Sequence, residues 1–223
     1  MIYVLTVIAV EFALLAAGLI ADYLGVFVMV NMLAIMLYAP QLFDVAGWTN
    51  NVGAIFYSFV LLAMTMIVHR NGTKAAVATL SHLLYVIVAA IALSAVVLWA
   101  IDAGSDLTPW EYSARQIIDS SYQTAVPSLA AFFIATATMI AILQRRQVWW
   151  SYVVAIIVAQ VLDSVVFYPL AFSHLPLVEI AELTWTGVVF KCAVSVVAAG
   201  PVIMLYRAAN AYLNAGEQRR AQP

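Results

Sequence analysis

Val148 to Phe172 reads VWWSYVVAIIVAQVLDSVVFYPLAF, an apolar run that nevertheless carries an acid, Asp163, and a helix-breaker, Pro169. About 20 predominantly apolar residues suffice for a helix to cross a bilayer, so this run is a membrane span. An ionised carboxylate at that depth costs about 2.5–3.5 kcal/mol on insertion scales, and a proline leaves the carbonyl four residues back, on Val165, without its helical donor. Both features call for a compensating neighbour. Elsewhere in the chain only one basic residue also lies in an apolar run: Lys191, in the following and last hydrophobic segment.

The composition agrees with this reading over the whole chain. Of 223 residues, 66% are hydrophobic and 9% charged, with a mean hydropathy of +1.02, whereas about a quarter of a soluble domain is charged. The fold class implied is all-α, a polytopic membrane helical bundle forming a single transmembrane domain over residues 1–223, with no length left for a soluble domain. A nucleic-acid surface is excluded. Cys192 is the sole cysteine, so no intramolecular disulfide and no paired-cysteine metal site can form. Phosphate-binding, zinc-hydrolase, nucleophile-elbow and dinucleotide motifs are all absent from the sequence, so nucleotide-driven transport by this chain alone is unsupported; the expectation is a non-enzyme without catalytic residues, metal or cofactor.

Hydropathy predicts seven spans, at about residues 2–20, 26–42, 54–68, 75–101, 127–143, 148–172 and 184–206. The first is read as a span, because it has neither a basic leader nor a small-residue cleavage site. Pro127 suits the first turn of the fifth span. The long polar connection from Asp102 to Tyr122 is expected to hold a short surface helix beginning at Pro109-Trp110. With seven crossings, Arg70, Lys74, Arg145, Arg146, Arg207, Arg219 and Arg220 fall on one side and Arg115 alone on the other. The positive-inside rule then puts the C-terminus in the cytoplasm and the N-terminus outside, in a bacterial inner membrane.

Depth selects the candidate site. Asp163 lies nine residues before Phe172 and Lys191 seven after Thr184, so at 1.5 Å per residue both sit about 10–14 Å below the same boundary. They can meet, either as a clamp between two helices or as a pair that contacts substrate or a coupling proton. Glu11 lies at a similar depth in the first span and, with Asp163, is a candidate proton-coupling group. Gln160 and Phe167 share the helix face of Asp163, the first to hydrogen-bond a ligand edge and the second to stack on a planar ring. Asn31 is a further polar residue in a span, suited either to ligand contact or to joining helices.

The string QVLDSVVFYPLAF at residues 160–172, preceded by Arg145-Arg146 and Trp149-Trp150, and the later FKCAVSVVAAGP at 190–201 resemble the final two spans of the vitamin-uptake-transporter-like family that imports queuosine precursors. Gly53-Ala54-Ile55-Phe56 leading to Gly72, Asn31-Met32-Leu33-Ala34 and Ser128 are similar to its upstream blocks. The resemblance covers about Asn31 to Tyr206 and makes the first span an addition to the family's usual six. It implies an inner-membrane uptake transporter for a queuosine precursor or similar small planar heterocycle, working by secondary transport with a proton as candidate coupling ion. The alternative is a substrate-binding membrane subunit driven by a separate ATPase. Asn31, Gln160, Asp163, Phe167 and Lys191 are the expected substrate-binding residues. The partners implied are a small molecule and the lipid bilayer, with self-association left open. The chain departs from the family pattern at Thr65, Gln123 and Met139, where family members commonly carry an acid, an arginine and an acid.

Overall fold

The computed structural model describes residues 2–38, 42–45, 48–51, 53–102, 109–145 and 148–220. Helix α1 (Ile2–Ile20) is followed by α2 (Leu24–Tyr38), an antiparallel hairpin of β1 (Leu42–Val45) and β2 (Trp48–Asn51), and then α3 (Gly53–Asp102), α4 (Pro109–Arg145), α5 (Trp149–Ala171) and α6 (Leu177–Arg220). Four of the helices, α3 to α6, are long and apolar enough to cross a membrane. At 1.5 Å per residue the 15-residue α2 is about 22 Å long, less than the ~30 Å hydrocarbon core.

Two left-handed residues shape the first half. Asp22, at φ 61°, ends α1, and the N–H of Tyr23 after it donates to the Gly18 carbonyl at 2.7 Å, the six-residue closure that satisfies a helix's last carbonyls. Gly72, at φ 82° and ψ 172°, breaks α3 into stretches 53–71 and 73–102, a conformation open to glycine and strained for any residue with a Cβ. Around this break the chain folds back. Asp22 pairs with Arg70 at 3.1 Å, while Gly25, three residues further into α2, lies against Thr79, so α2 and the second stretch of α3 advance together from the same end.

The first stretch of α3 is the axis of the bundle. Every residue from Gly53 to Val68 except Phe56 is buried, as expected of a helix that is apolar all round and packed on all sides. Phe59, Leu61 and Met64 meet a core that includes Phe132 and Met139 of α4, Ala155 and Ala159 of α5 and Val202 of α6. The second stretch instead turns Val88, Leu93, Val96 and Trp99 outward.

Several expected boundaries are corrected. The predicted second span, 26–42, stops at Tyr38, and Leu42 opens the hairpin. The expected third and fourth spans, 54–68 and 75–101, lie in the two stretches of α3 on either side of Gly72, with that single residue in place of a longer turn. Pro127 is not the start of a helix: α4 begins at Pro109 and runs through it, so the surface helix expected there is continuous with the apolar segment Thr124–Arg145. A proline forfeits one backbone bond and clashes with the turn before it, and the helical hydrogen bonds on both sides hold the rest. The last span, expected at 184–206, lies in a longer helix, Leu177–Arg220, whose apolar segment runs Leu177–Ala209; Pro176 ends the preceding turn and pre-sets the helix start.

Candidate functional site

Helices α5 and α6 are antiparallel, and their seam is built in steps of four residues. Gly187 faces Tyr168, Lys191 faces Ser164, and Ser195 faces Gln160, so each turn down α6 is matched by a turn up α5. At the first level an added Cβ on Gly187 would collide with the Tyr168 ring, so the bare backbone of α6 is what seats that ring. At the second, the Lys191 ammonium pairs with the Asp163 carboxylate and donates to Ser164 Oγ at 3.2 Å. At the third, Gln160 Nε2 donates to Ser195 Oγ at 2.7 Å and Ser58 Oγ at 3.3 Å. Ser58 in turn donates to the carbonyls of Ala54 and Lys191, tying the seam to the axial helix.

The ion pair is deeply enclosed: Lys191 is 2% exposed and Asp163 5%. The ammonium lies 5.1 Å from the ring centre of Tyr57, 5.4 Å from Tyr168 and 5.9 Å from Phe167, an aromatic cage whose negative ring faces attract a cation. Next to the pair is a cavity of about 20 Å³, walled by Met32 and Ile35 of α2, Tyr57, Ser128, Asp163, Phe167 and Lys191. That is room for about one water. The Ser128 hydroxyl makes no hydrogen bond among the described residues, and the Tyr57 hydroxyl faces the Asp163 carboxylate without reaching hydrogen-bond geometry. The cavity therefore offers a carboxylate, an ammonium and two hydroxyls, set among aromatic and aliphatic walls.

A family model whose description reads "Putative vitamin uptake transporter" matches residues 51–206, more than half of the chain. The chain belongs to that family. No curated protein and no solved structure matches it. The match takes in every residue of the three-level seam and leaves α1 and α2 outside.

Of the residues expected to bind substrate, the structure brings Asp163, Phe167 and Lys191 to the cavity and leaves two elsewhere. Gln160 is fully buried one turn below Asp163, with its amide nitrogen taken by two serines; sharing a helix face does not give it the same depth. Asn31 donates to the Phe27 carbonyl of its own helix at 3.1 Å and sits beside Glu11 of α1, while its neighbour Met32 is the residue that reaches the cavity. Glu11 is buried, and its Oε2 has no hydrogen bond among the described residues. Of the three departures from the family pattern, Thr65 is buried with its hydroxyl donating to the Leu62 carbonyl at 2.6 Å, Met139 is core, and the side chain of Gln123 lies outside the described residues. Sequence reasoning missed Tyr57, and it named Ser128 only as a position similar to a family block, not as part of the site. Tyr57 carried a signal, as a phenol inside a run otherwise apolar enough to be core.

Proposed function

We propose that this family member is a secondary uptake transporter of the inner membrane, and that its solute is a small planar nitrogen-rich heterocycle, a queuosine precursor such as a cyano- or aminomethyl-deazaguanine. The observation that carries the reading is the buried Asp163–Lys191 pair on the wall of a cavity that the Tyr57 and Ser128 hydroxyls also line, the latter without a hydrogen bond among the described residues. Charges enclosed in a bilayer are costly to keep, and where they are kept they mark pathways for substrate or protons. Asp163 would accept from the ring's amino and imino donors, Lys191 would balance its charge, Tyr57 and Ser128 would meet the ring's remaining polar edge, and Phe167 would lie along its face. A cavity of about 20 Å³ is too small for such a ring, so the helices that wall it must move apart for entry. In this reading the break at Gly72 separates the third and fourth of seven crossings, with the N-terminus outside and the C-terminus in the cytoplasm. Glu11 and Asp163 are the carboxyl groups available to carry a coupled proton.

The test is uptake of a labelled deazaguanine by the full chain reconstituted alone in liposomes, with and without an imposed proton gradient. Uptake that rises with the gradient and vanishes in Asp163→Asn supports the reading. Solute that binds without being accumulated, until a separate ATPase is added, would replace it with the substrate-capturing subunit.

A further inference from the structure

The seam of α5 and α6 changes character below the Gln160–Ser195 level. Continuing the same four-residue steps brings Ala199 opposite Ile156 and Ile203 opposite Tyr152, and here the helices do not close. All four residues line a groove of about 450 Å³ whose floor is Leu62 and Met66 of the axial helix. Its size falls within the ~300–1,000 Å³ of ordinary ligand clefts. Its rim is apolar and outward-facing, with Val153 46% and Ile203 52% exposed, so in a bilayer it opens sideways onto acyl chains. Thr65, the one polar residue on the floor, spends its hydroxyl on the Leu62 carbonyl. An aqueous route for a polar solute would need polar walls, which this groove lacks.

One end is different. His69 pairs with the Tyr152 hydroxyl at 3.0 Å and lies edge-on to the rings of Tyr152 and Tyr206, and Arg207 follows one residue later on the rim. Arg207 is exposed and makes no ion pair among the described residues. This is also the end where Arg70, Lys74 and Arg145 lie; Asp22 there is paired with Arg70, and none of the residues lining the groove is acidic. We propose that the groove is a binding site for one anionic phospholipid, with the phosphodiester on Arg207 and the His69–Tyr152–Tyr206 cluster and an acyl chain along Met66, Ile156 and Ile203. A cation at the mouth of an apolar slot between helices matches the two halves of such a lipid, and neither half is matched by a soluble anion or by a second apolar helix. The inference is independent of the transported solute.

Native mass spectrometry of the full chain with added dioleoyl phosphatidylglycerol or dioleoyl phosphatidylcholine tests it. One phosphatidylglycerol should be retained per chain at concentrations where phosphatidylcholine is not. Arg207→Gln should weaken retention about fivefold, the usual worth of one basic side chain at an anionic lipid surface. Ile203→Trp, which fills the slot and leaves the cation in place, should weaken it as well, and Lys74→Gln, at the same end but outside the groove, should not. Equal retention of both lipids, an unaffected Arg207→Gln, or a Lys74→Gln as weak as Arg207→Gln would overturn the site. Displacement by free glycerol 3-phosphate would overturn the acyl-chain half and make it a pocket for soluble anions.

Discussion

The two halves of the α5–α6 seam obey one register and end in opposite states. From Gly187 to Ser195 each level is closed by something that lipid cannot replace: a ring seated on bare backbone, an ion pair, an amide shared between serines. From Ala199 to Ile203 the facing residues are aliphatic or aromatic, and the helices stand apart. Within a bilayer, apolar contact between helices competes with equally apolar acyl chains, so close packing and hydrogen bonds decide where a seam shuts. The closed half is thus specified by the residues at three levels, and the open half by the lack of any such residue.

Breaking the closed half at its centre should have the largest effect. Lys191→Met leaves Asp163 as an uncompensated buried charge, an expected loss of about 3–5 kcal/mol. The yield of monodisperse protein in mild detergent should fall sharply, and Asp163→Asn combined with Lys191→Met should recover most of it while remaining inactive in uptake. A double variant that transports at the parent rate would reduce the pair to a clamp. Next in size is Gly187→Ala, whose methyl group must displace the Tyr168 ring; overpacking of this kind costs about 1–3 kcal/mol. A lower thermal midpoint with reduced solute affinity is expected, because the same ring cages Lys191.

Gln160→Ala sharpens the comparison by extending the open half upward one level. It leaves the hydroxyls of Ser58 and Ser195 to find other partners, at about 1 kcal/mol in a membrane interior. The expected outcome is a modest loss of thermal stability with solute affinity retained in the folded fraction. Complete loss of binding without loss of stability would return Gln160 to the list of ligand contacts. The smallest effect is expected from Ala199→Leu, which adds apolar volume where the groove already offers it. Its stability should stay within about 0.5 kcal/mol of the parent's, as for substitutions away from packed features, and its thermal midpoint should be nearly unchanged.

The meeting of Asp163 and Lys191 was legible in the sequence because it depends on quantities that a sequence carries: the rise per residue, the span ends, and the cost of a lone charge. Family membership was legible for the same stretch. What could not be read was rotation about helix axes and the depth at which neighbours cross. Asn31 and Met32 are adjacent in sequence, yet one turns to Glu11 and the other to the cavity. Gln160 is within one turn of Asp163, yet meets serines contributed by two other helices. Pro127 looked like a helix start because local propensity favours that position, whereas in α4 the turns on both sides carry the helix past it. Gly72 was correctly placed between two apolar stretches, but as a single residue in a positive-φ conformation it does the work expected of a loop.

The empty position at Gly187 has a consequence for genetics. A search for loss-of-function alleles would recover substitutions at residue 187 alongside those at Asp163 and Lys191, and a reader of such a map would draw it as a ligand contact. Yet it lies outside the cavity wall, and what an added methyl group meets there first is the Tyr168 ring. Second-site suppressors separate the two cases. An allele such as Gly187→Ala should be rescued by shrinking residue 168, whereas lesions at Asp163 or Lys191 should be relieved only by changing charge.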